Sequence, residues 1–429
     1  MDSVVLKCLA VENYASFADR IEFTTEIDKS KKDTINSTFF YDNLQLNKVS
    51  FLYGANGSGK TFFCKILREI QRLLDWSSLT TLNQSQLSTL PIKEFENSVP
   101  TFAFDKEYTD KPTKFEIEIL IGETMYHYEF SILNEKVIYE LLTKKRIRTE
   151  KLIERTSSSF KDIVLKSEFK DFENTKHVVK EEALCLSIAA LLNNEIAMKI
   201  NDAIHEIRVV SMTAARLKPM NATESFSEER IKKYVEILKK ADPTLRNINI
   251  SFEEEEEVGH QKVESDDFEN REIIATKMKI GVEGVHAFYE NGEETEKIAP
   301  FTFFADESLG TVKLFTALPY LFDVLENGGV LIVDEIENGL HLSLVKEIVN
   351  LFTNEITNPF NAQLICTSHQ PLLLDGDFRR DQVWISTKDQ YGKSTLKRLS
   401  DFKTSRSKVS LTNKILNGVF GCNPDIFFD

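Results

Sequence analysis

Apolar residues fall into three patterns along this chain. In the first, they alternate with polar ones: Phe115, Ile117, Ile119 and Ile121, then Tyr126, Tyr128, Phe130 and Ile132, with Gly122-Glu123 as a turn. A period of two with one polar face predicts an antiparallel meander, with a third strand over residues 137–142. In the second, apolar positions recur at three and four. Phe63, Ile66, Leu67, Ile70, Leu73 and Leu74 predict a helix over 62–76. The same spacing predicts helical material over 183–207. Ile231, Val235 and Leu238 follow a Ser225/Glu228 pair that resembles a capping box. The third pattern is a continuous apolar run: residues 49–53, Val330-Leu331-Ile332-Val333, Leu364-Ile365-Cys366 and Val383-Trp384-Ile385. Such runs suit strands buried on both faces of a parallel sheet. Helical patterns over 312–325 and 342–352 lie between them, so the rhythm predicts an α/β architecture.

Between these segments, residues 6–17 predict an opening strand and turn. Residues 27–48 read as a polar loop and 77–100 as a surface insertion. Five consecutive glutamates, 253–257, read as a solvated loop. The resulting division is an N-terminal lobe with an antiparallel β subdomain (1–180), a helical lid insertion (181–250), an acidic insertion with strands (251–300) and a C-terminal lobe (301–429). There is no internal repeat, and no heptad pattern persists long enough for a coiled-coil arm.

Charge refines this division. The 429 residues carry 53 basic and 68 acidic side chains, net −15. Residues 251–307 alone hold 17 acidic and 5 basic ones, so the rest of the chain is near neutral. Nucleic-acid binding is therefore disfavoured for the whole but not excluded. No apolar run approaches the roughly 20 residues of a membrane helix, and no secretory signal is visible, so a cytoplasmic location without membrane contact is expected. Cys8, Cys64, Cys185, Cys366 and Cys422 lie far apart and form no CxxC, which favours buried thiols over disulfides or zinc.

The chemistry gathers in four motifs. Gly54-Ala55-Asn56-Gly57-Ser58-Gly59-Lys60-Thr61 follows a predicted strand and opens a predicted helix, the context a phosphate-binding loop requires. Its amides would wrap phosphate, Lys60 would reach the β- and γ-phosphates, and Thr61 would bind Mg²⁺. Val330-Leu331-Ile332-Val333-Asp334-Glu335 is an apolar strand ending in two carboxylates. Asp334 would hold Mg²⁺, and Glu335 would orient and deprotonate the attacking water. The separation of 274 positions from Lys60 to Asp334 implies a large insertion. Ser308-Leu309-Gly310-Thr311 begins a helix just upstream and resembles a second phosphate nest, or a plain helix cap. His369 follows a buried strand and is a candidate sensor of the γ-phosphate.

This order of motifs resembles the ABC-type ATPase heads of the RecF, SMC and OLD group. Residues 307–375 look most like standalone prokaryotic abortive-infection ATPases, which serve in anti-phage defence. Val11-Glu12-Asn13-Tyr14-Ala15-Ser16-Phe17, residues 378–384 and Leu399-Ser400-Asp401-Phe402 resemble that group's first strand and tail. The likeness implies a P-loop head with a mostly parallel core sheet, an antiparallel β subdomain and a short helical lid. It implies ATP and Mg²⁺ as ligands, sandwiched between paired heads as a homodimer or higher homo-oligomer. Ser308 and Gly310 of one copy would close on the γ-phosphate held by Lys60 of the other, and residues 338–341 fall at the interface loop. Leu309 and Thr311 depart from the commoner glycine and glutamine, and no Q-loop glutamine stands out.

The expected role is the sensor or regulator of a defence pair that controls a separate toxin or nuclease from a neighbouring gene. The 247 residues from Thr61 to Ser308 leave no room for long arms, and the 60 after His369 leave none for a nuclease. Asp375-Gly376-Asp377 reads as a turn. Two rival readings are a RecF-like DNA-repair ATPase and a non-catalytic ATP-gated scaffold whose acidic segment docks a basic client. Lys144-Lys145-Arg146 with Arg148 reads as a solvated hairpin edge. Arg379 and Arg380 are weaker candidates for a partner or nucleic acid.

Overall fold

We describe the protein from a computed structural model. The structure describes residues 3–28, 37–41, 43–81, 98–213, 226–260, 272–374, 378–402 and 411–421. Contacts divide the chain into two units. The first comprises Met1–Thr213, Leu321–Asn338 and Val345–Asp429; the second comprises Ala214–Tyr320 and Gly339–Leu344. These divisions differ from the four segments drawn from sequence.

The first unit begins with β1 (Val4–Glu12), β2 (Ile21–Thr24), β3 (Thr38–Tyr41), β4 (Leu44–Asn47) and β5 (Val49–Tyr53). Helix α1 (Lys60–Leu79) follows. The meander is β6 (Thr113–Ile121), β7 (Thr124–Leu133), β8 (Lys136–Lys145), β9 (Thr149–Arg155) and β10 (Ile163–Leu165). Helices α2 (Cys185–Leu191) and α3 (Glu195–Glu206) lead to β11 (Arg208–Ser211). The second unit holds α4 (Glu228–Ala241), β12 (Leu245–His260), β13 (Glu272–Glu290) and β14 (Glu293–Thr302). The chain continues through α5 (Leu309–Asn327), β15 (Val330–Asp334), α6 (Leu342–Thr353), β16 (Gln363–Ser368), β17 (Val383–Lys388), β18 (Ser394–Arg398) and α7 (Leu411–Leu416).

Two sheets organise the first unit. The antiparallel one has the order β10-β9-β8-β7-β6-β1-β2, and the other runs β11-β15-β16-β5-β17-β18. The second is parallel except for β18. β5, β15 and β16 are buried at every position, as continuous apolar runs require. One core joins the inner face of the meander to α1–α3 and to Leu52, Val330, Ile332, Ile365 and Trp384.

Several expectations need correction. The polar stretch 27–48 contains the β3–β4 hairpin, because Phe39 and Leu46 bury against Val5 and Leu120. The 183–207 segment is two helices. Asn193 is left-handed, and the Asn194 side chain accepts from the Ala197 amide to start α3. Both helices lie in the core of the first unit rather than in a lid. The glutamate run 253–257 belongs to β12, where register sets Glu253 opposite Lys279 and Glu255 opposite Lys277. Ser227 caps α4, and Ser225 lies outside the described residues, as do Asp375-Gly376-Asp377 and most of 77–100. Arg379 is buried against Asp381, and Arg380 donates to the carbonyls of Leu399 and Phe402, so both serve the fold. Lys144 and Arg146 pair with Glu150, Glu168 and Glu123 at a hairpin edge. No helix among the described residues is long and apolar enough to cross a membrane. Cys8, Cys64, Cys185 and Cys366 are free and buried.

Two polar networks hold the meander. Glu140 and Arg155, cross-strand neighbours on β8 and β9, are both fully buried. The Glu140 carboxylate accepts from the Cys185 and Leu186 amides, 2.8 and 3.0 Å, and from the Tyr128 hydroxyl, so it caps α2 from the sheet. Arg155 donates to the Ala183 carbonyl at 2.7 Å and to the Ser157 carbonyl at 2.8 Å. Removing one partner leaves a buried charge and open amides. Glu140→Ala should lose about 3 kcal/mol of stability, read from urea unfolding.

On the other face, His127 lies 3.4 Å from Glu118 and 3.3 Å from Glu129. The hydrogen bond to Glu118 leads in raising His127 to about 9. Burial alone would raise Glu118, but bonds from His127 and Lys7 outweigh it and hold it at about 2. The pair therefore stabilises fully between the ordinary values, about 4.5 and 6.5. That stability is lost as pH rises through 9 or falls through 2. Thermal unfolding across pH should give His127→Gln a deficit at pH 6 that vanishes above pH 10.

Candidate functional site

The Gly54-to-Thr61 loop joins β5 to α1, with Lys60 and Thr61 as the first two residues of the helix. The first turn of a helix has amides without intrahelical partners, and these face an anion. Gly59 holds φ 109°, and a Cβ there would sit 2.8 Å from the Ser394 hydroxyl, so only glycine fits. Lys60 is buried and donates to the Gly54 and Ala55 carbonyls at 2.7 and 2.9 Å. Burial pushes its ammonium below the ordinary value, while Glu335, Glu337 and Asp334 pull it back. The Ser58 hydroxyl is buried with no hydrogen-bond partner among the described residues. An anion-binding loop leaves such a donor for its ligand.

β15 and β16 are neighbours, and β16 also pairs with β5, so the carboxyl ends of three strands meet on one edge. Asp334 ends β15 and is 2% exposed. Its Oδ1 accepts from the Thr367 hydroxyl at 2.7 Å and lies 3.9 Å from the Cys64 thiol on α1. Burial and the nearby Asp334 charge keep that thiol protonated. Both contacts fall on Oδ1, which leaves Oδ2 for a metal; Thr61, the second residue of α1, is exposed. Hard oxygen donors of this kind suit Mg²⁺.

Glu335 has φ 52°, a left-handed conformation that is costly for a side chain of this size. Its amide donates to the Thr367 hydroxyl at 2.8 Å, and its carboxylate accepts from Asn338 at 2.9 Å. His369 follows β16 and is half exposed. Glu337 accepts from the His369 amide at 2.7 Å and contacts its Nδ1 at 3.0 Å, so the ring is held through Nδ1 and presents Nε2. Sequence reading missed Thr367 and Glu337. Their only signals were a polar residue ending an apolar strand and a third carboxylate after Asp334-Glu335.

Ser308 and Gly310 belong to the second unit. Ser308 caps α5: its hydroxyl accepts from the Thr311 amide at 3.1 Å and lies 2.7 Å from the Thr311 hydroxyl. The cap reading is thus realised, and Thr311 completes it. A Cβ on Gly310 would meet the Gly339 carbonyl at 2.5 Å, so the Ser-x-Gly turn packs directly on Gly339. Behind it runs a chain that sequence reading did not find. Glu307 contacts His286 Nε2 at 2.5 Å, His286 Nδ1 lies 2.9 Å from the Thr244 hydroxyl, and that hydroxyl donates to Asp242 at 2.6 Å. The His286 and Glu307 side chains are 9% and 5% exposed. His286→Ala strands the Glu307 carboxylate and should cost about 2 kcal/mol in chemical unfolding. Adding Glu307→Gln should recover part of that loss.

The sequence profile of the family described as "AAA domain, putative AbiEii toxin, Type IV TA system" matches residues 49–375. No curated protein matches the chain. Among solved structures, the SMC head domain from Thermotoga maritima is similar at 11% identity. The match covers 92% of this chain and 98% of that one, with a TM-score of 0.30.

Proposed function

The chain belongs to this family of AAA domains, and on that premise we propose that it is an ABC-type ATPase that hydrolyses ATP to ADP and phosphate. The observation that carries the reading is the convergence of Lys60, Asp334, Glu335 and His369 on the ends of adjacent buried parallel strands. The loop amides and Lys60 bind the phosphates. Thr61 and Asp334 would hold Mg²⁺, which neutralises phosphate charge when bound. Glu335 orients water and accepts its proton, fixed by Thr367 and Asn338. His369, steadied by Glu337, offers Nε2 to the γ-phosphate.

In the same proposal two copies pair, and Ser308 and Gly310 of each close on the nucleotide of the other. The paired state regulates a separate toxin or nuclease in a cytoplasmic anti-phage system. The family description, with its toxin-system association, supports that role. Co-purification with the neighbouring gene product, with and without ATP, tests it by assembly mass.

Lys60→Ala should abolish ATP binding. Glu335→Gln should bind ATP, accumulate as dimer and lose about a hundredfold or more in turnover. Phosphate release and solution mass decide this. Undiminished turnover in Glu335→Gln overturns Glu335 as the base. Absence of turnover in the native chain favours the scaffold reading.

A further inference from the structure

Lys48 immediately precedes β5 and is 2% exposed. A lysine this buried is nearly always paired. Among the described residues its ammonium has no hydrogen bond or ion pair, and the exposed Glu355 acts on it only through the field. Burial prevails over Glu355 and pushes Lys48 below its ordinary value. The side chain lines a cavity of about 450 Å³ with Phe39, Phe40, Gln45, Glu355, Pro359 and Asn361. That volume lies within the range of small-molecule sites. Phe40 is 73% exposed at this cavity, a large apolar ring in water.

The amides of Asn358 and Gln45 are already engaged. Asn358 bonds the Phe352 and Ala362 backbone, and Gln45 donates to the Thr38 hydroxyl. Lys48 is therefore the cavity's uncommitted cation. The one carboxylate on its walls, the exposed Glu355, forms no ion pair with it, and the same walls offer an aromatic ring and a proline. The cavity lies at the amino ends of β5 and β16, whereas the phosphate loop leaves the carboxyl end of β5. Five extended residues, about 17 Å, separate the two ends.

We propose that this cavity is a second ligand site, in which Lys48 binds the carboxylate or phosphate head of a small organic anion and Phe40 covers its flat apolar body. A charge-assisted bond to a desolvated ammonium is among the stronger polar contacts.

The test uses the full chain and two probes, benzoate and phenyl phosphate, with benzylamine as the cationic control. Ligand-observed NMR and calorimetry read binding. At least one anionic probe should bind at millimolar concentration or below, and benzylamine should not. Lys48→Met should weaken binding by about tenfold or more. Phe40→Ala, a change at an exposed position, should weaken it with unchanged melting temperature. Lys60→Met should leave it intact, which separates this site from the phosphate loop. Which probe binds better decides between carboxylate and phosphate. The proposal is overturned if neither anion binds, if Lys48→Met binds equally well, or if Lys60→Met abolishes binding. Should Lys48→Met fail to fold, Phe40→Ala decides: undiminished binding there also overturns the proposal.

Discussion

Everything at the candidate site follows from burying parallel strands on both faces. β5, β15 and β16 have no exposed position, so a charged side chain can enter only where a strand ends. The carboxyl ends then collect the chemistry: a loop of amides after β5, two carboxylates at the end of β15 and a histidine after β16. Thr367 ties these together. One hydroxyl donates to the Asp334 carboxylate and accepts from the Glu335 amide, so it fixes that carboxylate and the Glu335 backbone at once. The strained backbone at Glu335 is held in place by that bond and by Asn338.

Buried charge elsewhere in the first unit is handled differently. Glu140 and Arg155 satisfy themselves on backbone amides and carbonyls, and so knit α2 to the meander. Lys60 uses carbonyls of its own loop, bonds that a phosphate can replace. Lys48 has neither solution. The contrast among these groups separates charges that serve the fold from charges that await a ligand.

The second unit reverses the first expectation about the acidic segment. The glutamate run 253–257 read as a solvated loop, yet it lies in the long antiparallel hairpin of β12 and β13. A run of five glutamates erases the period-two cue, and only pairing with β13 makes it a strand. The Ser-x-Gly turn was legible, but its support was not. Glu307, His286, Thr244 and Asp242 are spread over 66 positions, and nothing local in sequence links them.

The sequence by itself determined the phosphate loop, the Asp334-Glu335 strand end, the meander and the α/β class. Each is encoded locally, by glycine geometry, by periodicity or by an apolar run ended by charge. It also carried the family resemblance, through motif order and a few short stretches. Tertiary structure decided the rest. Whether α2 and α3 cover a core or form a lid depends on which sheet accepts their apolar faces, and amphipathic helices look alike in both settings. Thr367, Glu337, His286 and Lys48 acquire meaning only from neighbours brought beside them by strand pairing. A hydrogen bond between distant residues leaves no trace in either one's local pattern.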